Sequence, residues 1–332
     1  MSEPEDKAPT PAVSTIKDPG AGAGGTGSVA QGSPVPPEAI KAIPVRHYGR
    51  WISAAIVLFL LALLVKAFAE AKINWSTVGQ YLTYDTIMQG ALNTLWITVL
   101  SMLLGVGLGT VLAVMRLSKN PVMSSVAWGY IWIFRGTPVL VQLLLWYNLD
   151  VVFEIVNLGF YKDEMNDFMT PFLAALLGLG LNEAAYMAEI SRAGIQSVDQ
   201  GQTEAAHALG MTGSRTMRRI VLPQAMRVII PPTGNEFINM LKTSSLAYTI
   251  QYGELLLAAE KIHSRNLAVI ELLMVATIWY LVLTTVFSIG QYYLERHFQR
   301  GSSRNLPPTP WQRVMASLGS FRTPSQVGGK AI

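Results

Sequence analysis

The sequence predicts an all-α, polytopic membrane protein of six transmembrane helices, one N-terminal helix followed by five more. Two observations carry that reading. Hydrophobic residues make up 51% of the 332 and charged residues only 14%, where soluble domains carry about 25% charged. Apolar runs near the length a bilayer demands then recur along the chain, at about 20 residues each. Strands with open edges would leave backbone groups unpaired in lipid, so each run is expected to be helical.

Residues 1–45 are rich in Pro, Gly, Ala, Ser and Thr and nearly free of aromatic residues. Such a segment cannot bury enough apolar area to offset its ordering, and reads as a disordered tail. The first apolar run begins at Trp51, too far along for a cleaved signal. It is therefore expected to stay as an anchor, within a segment 46–87 that also holds the following loop. The expected spans are 51–69, 88–115, 123–148, 171–193, 226–250 and 268–295. Gly105 and Gly109 are spaced for close helix approach, or reflect the ordinary glycine content of membrane helices.

Strict alternation puts Arg46, Arg50, Arg116, Lys119, Arg215, Arg218, Arg219, Arg227, Arg296, Arg300 and Arg304 on one side. The other side receives Asp150, Glu154, Asp163, Glu164, Asp167, Glu254 and Glu260. The basic side is the cytoplasmic one, so the expected location is a cell membrane with both termini inside. No cysteine is present, which excludes disulfides and thiolate chemistry. A net charge of +4 is too small to argue for nucleic acid.

The segment 199–223 is basic and patterned as helix, although apolar runs flank it. Asp199 or Thr203 can cap a short helix on which Ala205, Ala208 and Leu209 share a face, and Gly210 suits its C-cap. Ser214 can cap a second turn bearing Arg215, Arg218 and Arg219, and Pro223 allows a sharp change of direction. By charge alone the segment is either such a helical unit or a plain basic loop.

Spacing separates the two. Glu204-Ala205-Ala206, then Gly210, Ile220 and Leu222-Pro223, resembles the EAA signature of the membrane subunits of ABC importers, the binding-protein-dependent permeases. "YIWIFRGTPVLVQ" (Tyr130–Gln142), "AAYMAEISRAGIQSV" (Ala184–Val198) and "GNEFINMLKTSSL" (Gly234–Leu246) resemble the polar amino-acid branch of that family. The resemblance runs over about residues 88–298, leaving 299–332 as a basic cytoplasmic tail. It implies a five-helix permease core and a coupling helix that docks on separate ATPase subunits. It also implies an extracytoplasmic solute-binding protein and a second permease subunit, identical or homologous. ATP and Mg would be bound by the ATPase partners, since this chain carries no G-x-x-x-x-G-K-[ST] phosphate loop. The expected activity is uptake of a polar amino acid by alternating access, not enzymatic catalysis.

Ionisable groups in spans are costly and functional by default. Arg135, Glu183 and Glu236 reach similar depths and are expected to include an internal ion pair at Arg135. Asn182, Tyr186 and Glu189 share a helix face, as a pathway lining or as polar contacts between helices. Asn235, Glu236, Lys242, Thr243 and Ser244 belong to a span interrupted by Lys242–Ser245 and broken at its inner end by Pro231 and Pro232. Interrupted helices are where transporters hold substrate, so this span is the first candidate pore lining. Thr243 stands where relatives are expected to carry an acid, so no salt bridge is carried over there. His207 and His263 lack metal-ligand spacing and read as surface residues, with no metal site. In the tail, Thr309 and Pro310 can start an amphipathic helix whose apolar face holds Trp311, Val314, Met315, Leu318 and Phe321, on the inner leaflet or as part of a disordered tail.

Two other classes compete. An intramembrane hydrolase needs a nucleophile and base, or metal-binding histidines, on facing spans, and no histidine lies in a span. A scaffold or receptor has no use for an ATPase-docking loop, and purification without an ATPase would favour it.

Overall fold

The computed structural model describes residues 48–71, 73–157, 162–298 and Met315. The expected N-terminal tail and the amphipathic helix after Thr309 lie outside the described residues. The chain divides into two units, Met1–Ala67 and Phe68–Ile332. The described part of the first is most of α1 (Tyr48–Glu70), apolar on all sides.

The second unit opens with α2 (Trp75–Leu82) and α3 (Asp85–Leu117). Asp85 in the first turn and Arg116 in the last complement the dipole of α3. Asn120 caps α4 (Pro121–Gly136) by accepting from Val122 N at 2.9 Å, with Pro121 in the first turn, where its missing N–H is not needed.

A break follows. The expected span 123–148 is two helices, α4 and α5 (Val139–Tyr147), because Pro138 forces Thr137 out of the α region (φ −117°, ψ 145°). Gln142 compensates for the interruption. Its Nε2 donates to Phe134 O at 3.0 Å, Thr137 O at 3.2 Å and Thr137 Oγ1 at 2.7 Å.

A short hairpin pairs β1 (Ile155–Asn157) with β2 (Lys162–Glu164), antiparallel, and leads through α6 (Met165–Phe168) to α7 (Pro171–Gln196). Short helices α8 (Gln200–Ala208) and α9 (Gly213–Thr216) then precede a π turn, Met217–Val221, and α10 (Leu222–Thr243). A 3-10 segment, Ser244–Ile250, α11 (Leu255–Asn266) and α12 (Val269–Phe298) follow.

Helices α3 and α7 form the central pair. A Cβ on Gly105 would lie 2.5 Å from Glu183 Cγ, and one on Gly109 2.6 Å from Met187 Cβ and 2.8 Å from Ala184 O. Close approach is therefore what this glycine pair provides. One apolar core joins Ile97, Leu143, Leu179 and Met240, and a second joins Ile87, Leu255, Leu272 and Val275. Among the described residues four helices are each long and apolar enough to cross a membrane: α1, α3, α7 and α12. The described residues are all-α but for the hairpin, as expected; α4, α5 and α10 do not meet that measure singly.

Three local expectations are corrected. Helix α10 runs unbroken through Pro231 and Pro232. Packing holds it there: Ile229 is buried against Gly194 of α7, and Gln291 Nε2 of α12 donates to Pro231 O at 2.7 Å. The chain does not turn sharply at Pro223, which lies in the first turn of α10 where a proline fits, and Val221, at the end of the preceding π turn, already has right-handed helical angles (φ −74°, ψ −54°). Ser214 is inside α9 rather than capping it; Thr212 stands at the cap without a side-chain bond.

Candidate functional site

Two features answer to the sequence reading: a polar cleft between α7 and α10, and the α8 loop.

The cleft has a volume of about 540 Å³. It draws Asn182, Glu183 and Tyr186 from α7 and Glu236, Lys242 and Thr243 from α10, with Val139 at the start of α5. Glu183 is only 4% exposed, and its Oε1 has no hydrogen-bond partner. Glycine at 105 is what leaves room for it beside α3. Asn182 Nδ2 donates to Phe134 O at 2.8 Å and Gln142 Oε1 at 3.2 Å, so it ties α7 to the carbonyls freed at the α4–α5 break. Lys242 is exposed and forms no ion pair among the described residues. The cleft thus offers two carboxylates and one free ammonium on facing helices. That set can hold a ligand carrying both signs of charge.

Three expected lining residues are elsewhere. Glu189 pairs with Arg192 at 2.6 Å, one turn on along α7. Asn235 is exposed away from the cleft, and buried Ser244 donates to Leu241 O at 2.9 Å, where α10 tightens into the 3-10 segment. The ion pair expected at Arg135 is not formed among the described residues. Arg135 sits in the last turn of α4, and its guanidinium stands 5.1 Å from the centre of the Tyr186 ring, a cation–π contact. Sequence reading missed Asn239, which lines the cleft and donates to Glu236 Oε2 at 3.5 Å. Its spacing of three from Glu236 and four from Thr243 was the available signal.

The α8 loop is built as its residues suggest. Asp199 Oδ1 accepts from Gly201 N at 2.6 Å and caps the helix. At the other end Gly210 has φ +78°, its N–H bonds His207 O at 2.9 Å, and Met211 N–H bonds Ala206 O at 3.0 Å. That is the double bond pattern of a Schellman stop. Glu204, Ala205, Ala208 and Leu209 (84% exposed) face outward, as do Arg215, Arg218 and Arg219. Ala206, by contrast, is buried and does not share that outward face. Ile220 belongs to the π turn, and Leu222 and Pro223 open α10. One unbroken helical path therefore leads from α9 to the cleft residues Glu236 and Lys242.

Residues 105–300 match the family described as the binding-protein-dependent transport system inner membrane component. The arginine transport system permease protein ArgU of Corynebacterium glutamicum is 52% identical over 273 residues, covering 81% of this chain and 86% of that protein. The probable amino-acid permease protein YxeN of Bacillus subtilis is 41% identical, covering 64% of this chain and 91% of that protein. Among solved structures, a crystal structure of an amino acid ABC transporter with histidines aligns with TM-score 0.60 at 37% identity, covering 68% of this chain and all of that one.

Proposed function

The chain belongs to the binding-protein-dependent transport system inner membrane components, and we propose that it forms the pathway by which an importer takes up an amino acid with a cationic side chain. It is the permease subunit of an ABC importer and has no ATPase site of its own. The observation that carries the substrate reading is the cleft: Glu183 and Glu236 are suited to a cationic side chain, and Lys242 to an α-carboxylate. The likeness to an arginine permease supports the same class.

Transport would proceed by alternating access. Closure of two partner ATPase subunits on the outward face of α8 would be passed along the π turn and α10, biasing the cleft toward one side of the membrane. A ligand can shift that balance only by the difference of its affinities for the two states. A second permease subunit, identical or homologous, would complete the pathway, and an extracytoplasmic binding protein would deliver the substrate.

The test is uptake of labelled arginine by the assembled complex in liposomes, with lysine, glutamine and glutamate as competitors. Competition by lysine but not glutamate is expected; preferential competition by glutamate overturns the cationic reading. Lys242→Met is expected to insert and assemble normally, since the side chain has no partner to lose, while substrate-stimulated uptake falls about tenfold or more, as for a lost hydrogen bond to a charged group. Normal transport by this variant would mean that the lysine merely snorkels toward the interface.

The flanking charges support six spans with both termini in the cytoplasm. A reporter fused after Lys162 is expected outside, and one fused after Arg304 inside. Both on one side would make the span count wrong by an odd number.

A further inference from the structure

A second polar recess lies away from the cleft, between the start of α3 and α11. Its volume is about 440 Å³, within the range of small-molecule sites. Asp85, Thr86 and Gln89 line it from α3 and Lys261 from α11.

Its walls are tied together. Asn93 Nδ2 donates to Gly253 O at 2.7 Å, and Gln89 Nε2 donates to Asn93 Oδ1 at 3.3 Å. A Cβ on Gly90 would come 2.7 Å from Ala258 Cβ and 3.0 Å from Leu255 Cα, so α3 and α11 are packed backbone to backbone beneath the recess. The Asn93–Gly253 bond and the close packing at Gly90 fix the two walls before a ligand arrives, which lowers the cost of binding. Within it the Asp85 carboxylate and the Lys261 ammonium form no ion pair with each other or with any other described residue. Both side chains are exposed and unpaired, and so offer an anion and a cation to a ligand that lies between them.

We propose that this recess is a second amino-acid site, with Asp85 taking the α-ammonium and Lys261 the α-carboxylate. Those are the groups that all α-amino acids share, so the site would select the zwitterion and not the side chain. In the orientation proposed above it opens on the extracytoplasmic side, where substrate arrives. The cleft with its two carboxylates would then impose side-chain choice.

The experiment uses the complete permease–ATPase complex in lipid nanodiscs without binding protein, and counts bound arginine by equilibrium dialysis. Arginine bound beyond that lost in Glu236→Gln is expected to disappear in Asp85→Asn and in Lys261→Met, each weakening the site roughly tenfold or more, as for loss of one charged hydrogen bond. Alanine should compete at this site, whereas agmatine, which lacks the carboxylate, should not. Equal competition by agmatine, or unchanged arginine binding in both recess variants, overturns the proposal. So does unchanged binding coupled with lost stimulation by the binding protein, which would make the recess a protein contact. Failure of Glu236→Gln to change binding bears on the cleft alone, because the recess is counted through its own variants.

Discussion

Gly210→Val is expected to disconnect ATP hydrolysis from transport while leaving the protein in the membrane. Gly210 occupies the left-handed region at φ +78°, where a β-branched residue is strongly disfavoured and the strain costs on the order of 1–3 kcal/mol or more. No atom beyond its chain neighbours lies within 4 Å of a Cβ built there, so the effect is backbone strain and stays local. Locally it is severe, because α8 has only nine residues and an isolated helix of that length is marginal. Without the left-handed turn, the bonds from Gly210 N and Met211 N to His207 O and Ala206 O are lost. The outward face of Ala205, Ala208 and Leu209 then loses its shape. The measurements are retention of ATPase subunits on purification and stimulation of hydrolysis by loaded binding protein in liposomes; both should collapse. Gly210→Asn tolerates the left-handed region and should keep most of both. Arg218→Ala should also do little, since an exposed charge contact contributes only about 0–1 kcal/mol. Wild-type values for Gly210→Val would leave the segment a basic loop and no more.

The α8 loop was legible because its determinants are local. A cap, a short helix and a glycine stop depend on a dozen neighbouring residues, and Asp199 and Gly210 do what their types dictate. The apolar lengths of α3, α7 and α12 were legible for a similar reason, since bilayer thickness alone sets them. What escaped depends on contacts between distant segments. Pro231 and Pro232 would end an isolated helix, yet Gln291 and Gly194, at 60 and 37 residues' remove, hold α10 together. Arg135 was paired with carboxylates on depth alone; the break at Thr137-Pro138 ends α4 beside it, and its contact is Tyr186. Pro138 itself was a local signal passed over because the apolar run continues through it. The polar residues of α7 and α10 were found individually, but their convergence on one cleft required the fold.

Glu254, one of the acids expected on the extracytoplasmic side, carries the largest stability effect expected of a single side chain here. It is wholly buried. Its carboxylate accepts from Leu256 N at 2.9 Å and Leu257 N at 2.8 Å, capping α11, and from Tyr280 Oη of α12 at 2.5 Å. Beside it Leu255 N–H is taken by Thr94 Oγ1 of α3 at 3.1 Å. One acid therefore fastens α11 to α12, and its neighbour fastens it to α3, around the core of Ile87, Leu255 and Leu272. Glu254→Ala removes the cap and leaves the buried Leu257 N–H, the half-buried Leu256 N–H and the half-buried Tyr280 phenol without this partner, a loss on the order of 3–5 kcal/mol. A fall in Tm on the order of 10 °C follows, read by intrinsic fluorescence of the purified complex. Tyr280→Phe alone leaves each carboxylate oxygen a backbone donor, Leu256 N–H on Oε2 and Leu257 N–H on Oε1, and should cost less. In Glu254→Ala/Tyr280→Phe the phenol left unpaired by the first change is gone, so the double variant should be more stable than the two single losses added. Strict additivity would mean that the acid and the phenol act independently and that their bond does not fasten α11 to α12.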